Sequence, residues 1–392
     1  MTKAIALADG AGVLYAATTA GRLYALTLPP PGSRPADDGN NCSGLQCIYD
    51  ATAGGTDTVL SFTAIAVAGD GSVLAGDVGG HAVLLPAGGG TAAVWRAHDI
   101  RLLAVWTPQE TSAAAVFTAS PRGSLRMWRL GPAGGGQTPT LHAEFICGGG
   151  EPVSALALAV ISSGPEDGGD QAVVVAGGRK GGLHLFQYPG AASVMADGDH
   201  DPAAVRVAGV RGSGADEMAL PALAAVVKPI ASVRRGGRVT CLRWSVGGGG
   251  SEGGSGLEVL ARDAYVVQYV VQQRAGVSGL ALTSKAKVAG ALPTAESLTD
   301  GHGSNGDRYV AGFSSVHFVL WNLSKAHQLA KLNCGGGRRP YAYGQRRGGT
   351  AAEASPWVVA FATANGGKLQ VTPNPPTNLH ISSNRWCVDT NS

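Results

Sequence analysis

Short apolar segments, many of them alternating apolar and polar residues with a period of two, recur along this chain between clusters of Gly, Ser, Asp and Pro. That period belongs to strands, whose successive side chains point to opposite faces. A larger repeat organises them. An alternating apolar strand is followed by a small-residue strand ending near Gly or Asp, then a tight turn, then a third strand closing on an aromatic or apolar pair. Four clear copies are Ala4–Leu28, Phe62–Pro86, Leu102–Leu130 and Val153–Tyr188. Val239–Val271 and Asp307–Cys334 are looser, and Trp357–Val371 is a shortened seventh. The turns "TAGR", "VGGH", "PRGS", "RKGG" and "SSVH" precede the last strand of a unit, where a hairpin needs positive φ and mostly finds glycine.

A lone sheet of this kind cannot bury its own faces, so repeated units must stack or close into a ring. The stretches "ATTAGRLYAL", "AGDVGGHAVLL", "TASPRGSLRMW" and "AGGRKGGLHLF" are similar to the C/D hairpin of a WD-repeat blade. The expected fold is all-β, a WD-type β-propeller of about six or seven degenerate blades over residues 1–371. Low-complexity insertions are expected at 29–55, 131–140, 163–169, 191–215, 247–256 and 297–306, and an unpatterned tail at 372–392. No unit carries the full Gly-His…Trp-Asp pair. His98, Trp128 and Trp321 are expected to serve packing and hydrogen bonding inside blades.

Composition narrows the function. At 392 residues the chain exceeds one ordinary packed core, which a circular repeat accommodates. Its 60 glycines, about twice average usage, make a triple glycine uninformative without its flanks. A net charge of +3 is too near neutral for the whole surface to attract nucleic acid, so only local patches matter. Six scattered cysteines form neither CxxC pairs nor zinc spacing with histidine. The N-terminal segment is broken by Asp9, and the longest apolar run, Met218–Val227, is far short of the roughly 20 residues a membrane helix needs. The expectation is a soluble, cytoplasmic protein without a membrane segment.

Nothing in the chain matches a phosphate loop, an HExxH zinc site or a nucleophile elbow. Carboxylates fall in turns (Asp70, Asp77, Asp263) or loops (Glu166, Asp167, Asp170) without an acid/base pair, and the histidines lack metal spacing. No catalytic residue, metal or cofactor is therefore assigned to the chain. Charge is more telling, because residues 308–350 hold no acid but hold Arg308, Lys325, Lys331, Arg338, Arg339, Arg346 and Arg347. A second acid-free stretch holds Lys228, Arg234, Arg235, Arg238 and Arg243. Such patches can neutralise phosphates, and Tyr341 and Tyr343 can stack on bases or pack a core.

The segment "GFSSVHFVLWNLSKAHQLAKLNCGGGRRPYAY", Gly312–Tyr343, resembles the most distinctive stretch of a large WD-repeat family, the partner of the tRNA ribose 2′-O-methyltransferase that acts at the anticodon wobble position. Asn333, Cys334, Gly335, Gly336, Gly337, Arg339 and an aromatic at Tyr341 match that family's motif. Arg338 stands where the family usually has histidine. "ARDAYVVQY", Ala261–Tyr269, is similar to its Gly-Arg-Asp-Gly strand turn, with alanine for both glycines. The resemblance implies a non-catalytic subunit that holds tRNA and the methyltransferase, whose own subunit carries S-adenosylmethionine. It also implies a fragment of a longer protein, since family members contain several propellers. Arg338, Arg339, Arg346 and Arg347 would contact phosphates, Tyr341 would pack or stack, and Asn333 with the glycines would shape a turn. The residues leave open a general WD-repeat scaffold, such as a ubiquitin-ligase or trafficking adaptor, and, as a third class, a propeller enzyme.

Overall fold

In the computed structural model, residues 2–8, 12–28, 45–53, 60–87, 89–106, 115–130, 139–162, 170–189, 226–227, 231–234, 237–245, 256–274, 277–287, 294–300, 307–335, 340–345, 357–362, 368–373 and 386–389 are described. They form seven antiparallel sheets, each built from four strands consecutive along the chain apart from one inserted edge strand. Blade 1 comprises β1 (Thr2–Leu7), β2 (Val13–Thr18), β3 (Arg22–Thr27) and β4 (Leu45–Asp50). Blade 2 comprises β5 (Phe62–Val67), β6 (Val73–Asp77), β7 (His81–Leu85) and β8 (Ala93–Arg96). Blade 3 comprises β9 (Ala104–Trp106), β10 (Ala115–Ala119), β11 (Ser124–Arg129) and β12 (Thr140–Ile146), edged in parallel by β16 (Val226–Val227). Blade 4 comprises β13 (Val153–Ser162), β14 (Asp170–Gly178), β15 (Gly182–Pro189) and β17 (Ala231–Arg234). Blade 5 comprises β18 (Val239–Ser245), β19 (Gly256–Ala261), β20 (Tyr265–Arg274) and β21 (Val277–Lys287). Blade 6 comprises β22 (Thr294–Asp300), β23 (Arg308–Ser314), β24 (His317–Asn322) and β25 (His327–Asn333). Blade 7 comprises β26 (Tyr341–Gln345), β27 (Trp357–Ala362), β28 (Lys368–Pro373) and β29 (Trp386–Asp389).

The core lies between blades. Among the described residues there are seven apolar clusters, one at each blade-to-blade junction. Phe62, Leu23 and Val83 join blades 1 and 2, and Phe117, Phe145 and Phe186 join blades 3 and 4. The junction of blades 7 and 1 is closed by Ile5, Leu14, Val358 and Ala360, so the ring is complete. β26 shows how alternation achieves this. Tyr341 and Tyr343 face blade 6, while Ala342 faces blade 1 and Gly344 lies so close to it that a Cβ there would sit 2.8 Å from Leu7 Cδ2.

The expected all-β propeller is thus the fold observed, with seven blades. The glycine turns join second and third strands of a blade, as in the expected three-strand unit, and each blade has a further outer strand beyond that unit. That outer strand falls within the expected insertion 29–55 as β4, where "LQCIYD" is short, half polar and flanked by Gly, Ser and Asp. Likewise β22 occupies part of 297–306, and β29 brings residues of the expected tail 372–392 into blade 7 by pairing with β28.

Connectivity sorts loops by face. Turns between second and third strands, and the connections from one blade to the next, emerge on one face, called here the connection face. Loops after first and third strands emerge on the other. The connection face is tightly laced. Residues just after fourth strands donate their N–H to a carbonyl of the preceding turn: Ala51 to Gly21 O (3.1 Å), Ala97 to Gly80 O (2.9 Å), Cys147 to Gly123 O (3.0 Å) and Cys334 to Val316 O (3.0 Å).

Candidate functional site

The motif region begins where β25 ends. Cys334 is 3% exposed in the blade 6–7 core and stands where Ala51, Ala97 and Cys147 stand in other blades. A small residue is required there because the turn of the same blade lies directly against it. Gly335 has φ +77° and donates both to Val316 O (2.9 Å) and to Asn333 Oδ1 (3.2 Å), so Asn333 and Gly335 form the turn that leaves β25. Gly336, Gly337, Arg338, Arg339, Arg346 and Arg347 lie outside the described residues.

Tyr341 belongs to an aromatic cluster. Its ring meets Phe313 edge-on at 5.1 Å and Phe318 at 5.8 Å, and burial pushes its phenol well above the ordinary value. Tyr343 stacks on Trp357 at 6.0 Å, and its hydroxyl lies 2.5 Å from Ser297 Oγ on β22. Both tyrosines tie blade 7 to blade 6. On the channel side, Pro340 and Tyr341 join Lys3, Ile5, Thr63, Ile65 and Val105 in lining an open depression of about 290 Å³ at the first-strand ends of blades 7, 1, 2 and 3.

The acid-free run 308–350 is not acid-free in space. Arg308 Nη2 lies 2.5 Å from Glu258 Oε1, and Lys325 Nζ lies 2.6 Å from Asp307 Oδ2. Glu258 on β19 and Asp307, one residue before the run, supply the carboxylates that the window lacked. Of the second basic stretch, Arg238 and Arg243 have described side chains, and Arg243 lies near Glu258 and Arg308.

Blade 3 holds a buried polar relay. Trp128 Nε1 donates to Thr118 Oγ1 (2.9 Å), which is 3.0 Å from His98 Nε2. In blade 6, Trp321 pairs with Val310 as Trp128 pairs with Val116, but two residues beyond Val310 stands Gly312 in place of a threonine. Trp321 Nε1 is accordingly buried without a hydrogen-bond partner. His98 is 1% exposed, and burial followed by the neighbouring Arg126 pulls its imidazole down to about 4. Its folded value lies below the unfolded one, so stability is fully present above about pH 6.5 and is lost as pH falls towards 4. The loss is on the order of 3 kcal/mol. Urea midpoints at pH 7 and pH 4 should therefore converge in His98→Gln relative to the parent; an unchanged difference would exclude a buried neutral His98.

Among the described residues no three of His, Cys, Asp and Glu stand together as metal ligands, and no helix is long and apolar enough to cross a membrane. No protein-family model matches the chain, and no curated protein matches it. Among solved structures it is similar to the β-propeller domain of Cps50 (Swd1) from Myceliophteria thermophila. The TM-score is 0.53 at 11% identity, over 94% of this chain and 96% of that one. At that identity the likeness speaks for the fold alone, and 1041 matching solved chains mark a fold too widely used to select a partner. Together with the seven closed blades, it makes the chain a seven-bladed β-propeller.

Proposed function

We propose that the protein is a non-catalytic, cytoplasmic WD-type subunit that holds tRNA and a ribose 2′-O-methyltransferase together, supporting methylation of the anticodon wobble nucleotide by the partner and its S-adenosylmethionine. The observation that carries this reading is the segment Gly312–Tyr343, with Asn333, Cys334 and the glycines followed by Arg338 and Arg339. A rigid ring presenting loops on two faces suits such a role, because it positions partners without needing a preorganised acid/base site. In this reading Arg338, Arg339, Arg346 and Arg347 grip tRNA phosphates and fix register without reading sequence.

Two experiments test it. Deleting the gene in cells of the source organism should abolish ribose methylation at the wobble nucleotide while other tRNA modifications persist; intact methylation would reject the subunit role. Changing the four arginines to alanine should lower the salt slope of tRNA binding by about 3, the counterion release of four phosphate contacts. An unaltered slope would move the contacts elsewhere.

A second reading, a general scaffold for protein partners, is favoured by Arg308–Glu258 and Lys325–Asp307 pairing and by the core position of Tyr341, all of which reduce the basic and stacking surface of the motif region. A partner complex that survives high salt and contains no RNA would select it.

A further inference from the structure

First strands carry a repeated irregularity. In five of the seven blades the register of the first strand against the second slips by one residue near its start, leaving Lys3, Thr63, Ser154, Thr240 or Glu296 as the extra residue of a β-bulge. Where that residue carries a hydroxyl, it laces one blade to the next. Thr63 Oγ1 donates to Leu102 O (2.8 Å), Ser154 Oγ to Val239 O (2.6 Å) and Thr240 Oγ1 to Ala295 O (3.0 Å), and each acceptor lies at the start of the following blade.

Blades 1 and 6 break this pattern with a charge. Glu296 is accounted for within the fold, since its side chain is largely buried and lies 3.6 Å from Arg262 Nε. Lys3 is not. It is exposed, and among the described residues no carboxylate lies within ion-pair distance of it. It stands at the channel mouth on the connection face, where it lines the depression of about 290 Å³ with Thr63, Ile65, Leu103, Pro340 and Tyr341. A lysine where three other blades place a hydroxyl gives up an interblade hydrogen bond, and its charge returns nothing to the fold.

The walls indicate what that charge would meet. β1, β5, β9 and β26 are each the terminal strand of their sheet, so their inner edges present main-chain N–H and C=O groups that no neighbouring strand uses. Ile65, Leu103 and Pro340 add apolar surface. Small-molecule sites are enclosed and span roughly 300–1,000 Å³, whereas this open depression suits about one or two side chains of a longer chain. We propose that the channel mouth is a docking site for an extended peptide segment of a protein partner in which acidic and apolar residues alternate. A carboxylate pairs with Lys3, an apolar side chain settles on Leu103 and Ile65, and the peptide main chain meets the open strand edges. The site does not draw on the tRNA reading, which places its contacts at Arg338, Arg339, Arg346 and Arg347, so either can fail alone.

The test titrates purified full chain into a short fluorescein-labelled peptide alternating glutamate with valine, and into its glutamine analogue, and follows anisotropy at one fixed ionic strength. The acidic peptide should bind saturably, and binding should be at least about tenfold weaker for the analogue and in Lys3→Gln. Lys3→Arg should retain most of the affinity. Lys180→Gln removes an exposed cation from the same face and should bind as the parent, which separates a site from general attraction. The thermal midpoint of Lys3→Gln should match the parent's; a lower one would make Lys3 a structural residue and sink the proposal. It is equally overturned if the acidic peptide does not bind, if the glutamine analogue or Lys3→Gln binds as well, or if Lys180→Gln loses as much as Lys3→Gln. Binding of a single-stranded oligonucleotide through Lys3 without binding of the peptide would assign the mouth to nucleic acid instead.

Discussion

Replacing Glu144 with glutamine is expected to destabilise the ring by about 4 kcal/mol, among the largest single effects available in it. Glu144 lies on β12 and is 8% exposed, with its carboxylate accepting from Ser124 Oγ and from Arg126 Nε at 3.0 Å. Arg126 in turn donates to Ala97 O at 2.7 Å, tying blade 3 to the connection that holds His98. Glutamine keeps the shape and removes the charge. Arg126 would then remain largely buried as an uncompensated cation beside His98, and desolvation of that cation dominates the cost. Removing both charges together, as Arg126→Met with Glu144→Leu, should cost much less than the single change. A double-mutant cycle on urea midpoints gives the coupling directly. A neutral Glu144→Gln would mean that water reaches the pair and that the blade 2–3 connection is not locked by it.

The ring was legible because its signals are local. Turn glycines at Gly80, Gly123 and Gly181 announce hairpins, and alternation across Phe62–Val67 or Ser124–Arg129 announces strands with one face in each interblade core. Fourth strands were not legible. β4 and β29 sit at the outer edge of a blade, where burial demands little, so "LQCIYD" and "WCVD" carry neither a long apolar run nor a strict period. Their pairing is decided by the third strand offering an open edge.

The site was less legible than the fold, and the reason is physical. A stretch without acids looks electropositive in sequence, yet Arg308 finds Glu258 across the blade 5–6 junction, fifty residues away. The tyrosines beside the arginines look like stacking residues, yet the period of two on β26 aims both into the blade 6–7 core. The Asn-Cys-Gly portion of the motif reads as a family mark, while its cysteine recurs structurally at Ala51, Ala97 and Cys147 as the small residue after a fourth strand.

That closure makes the turn-to-connection contacts the second place where one atom matters. Gly80→Ala is expected to cost about 4 kcal/mol, from two additive causes. Gly80 has φ +88°, a conformation that alanine adopts only with strain, and its carbonyl receives the N–H groups of Ala97 and His98 at 2.9 and 3.0 Å. A Cβ at this position would sit 2.2 Å from His98 O and 2.7 Å from Ile100 O, both backbone atoms that cannot turn away. Gly89 supplies the comparison within the same blade. Its φ is +86°, but an added Cβ there meets nothing within 4 Å. Gly89→Ala should therefore cost only the backbone term, about 1 kcal/mol. The difference between the two alanine variants, read from urea midpoints at fixed pH, isolates the docking of the blade 2 turn on the connection to blade 3. Because the connection also carries His98, displacing it should unsettle the Trp128–Thr118–His98 relay as well. Equal losses for Gly80→Ala and Gly89→Ala would show instead that the connection yields freely, and that blades are held by their apolar faces alone.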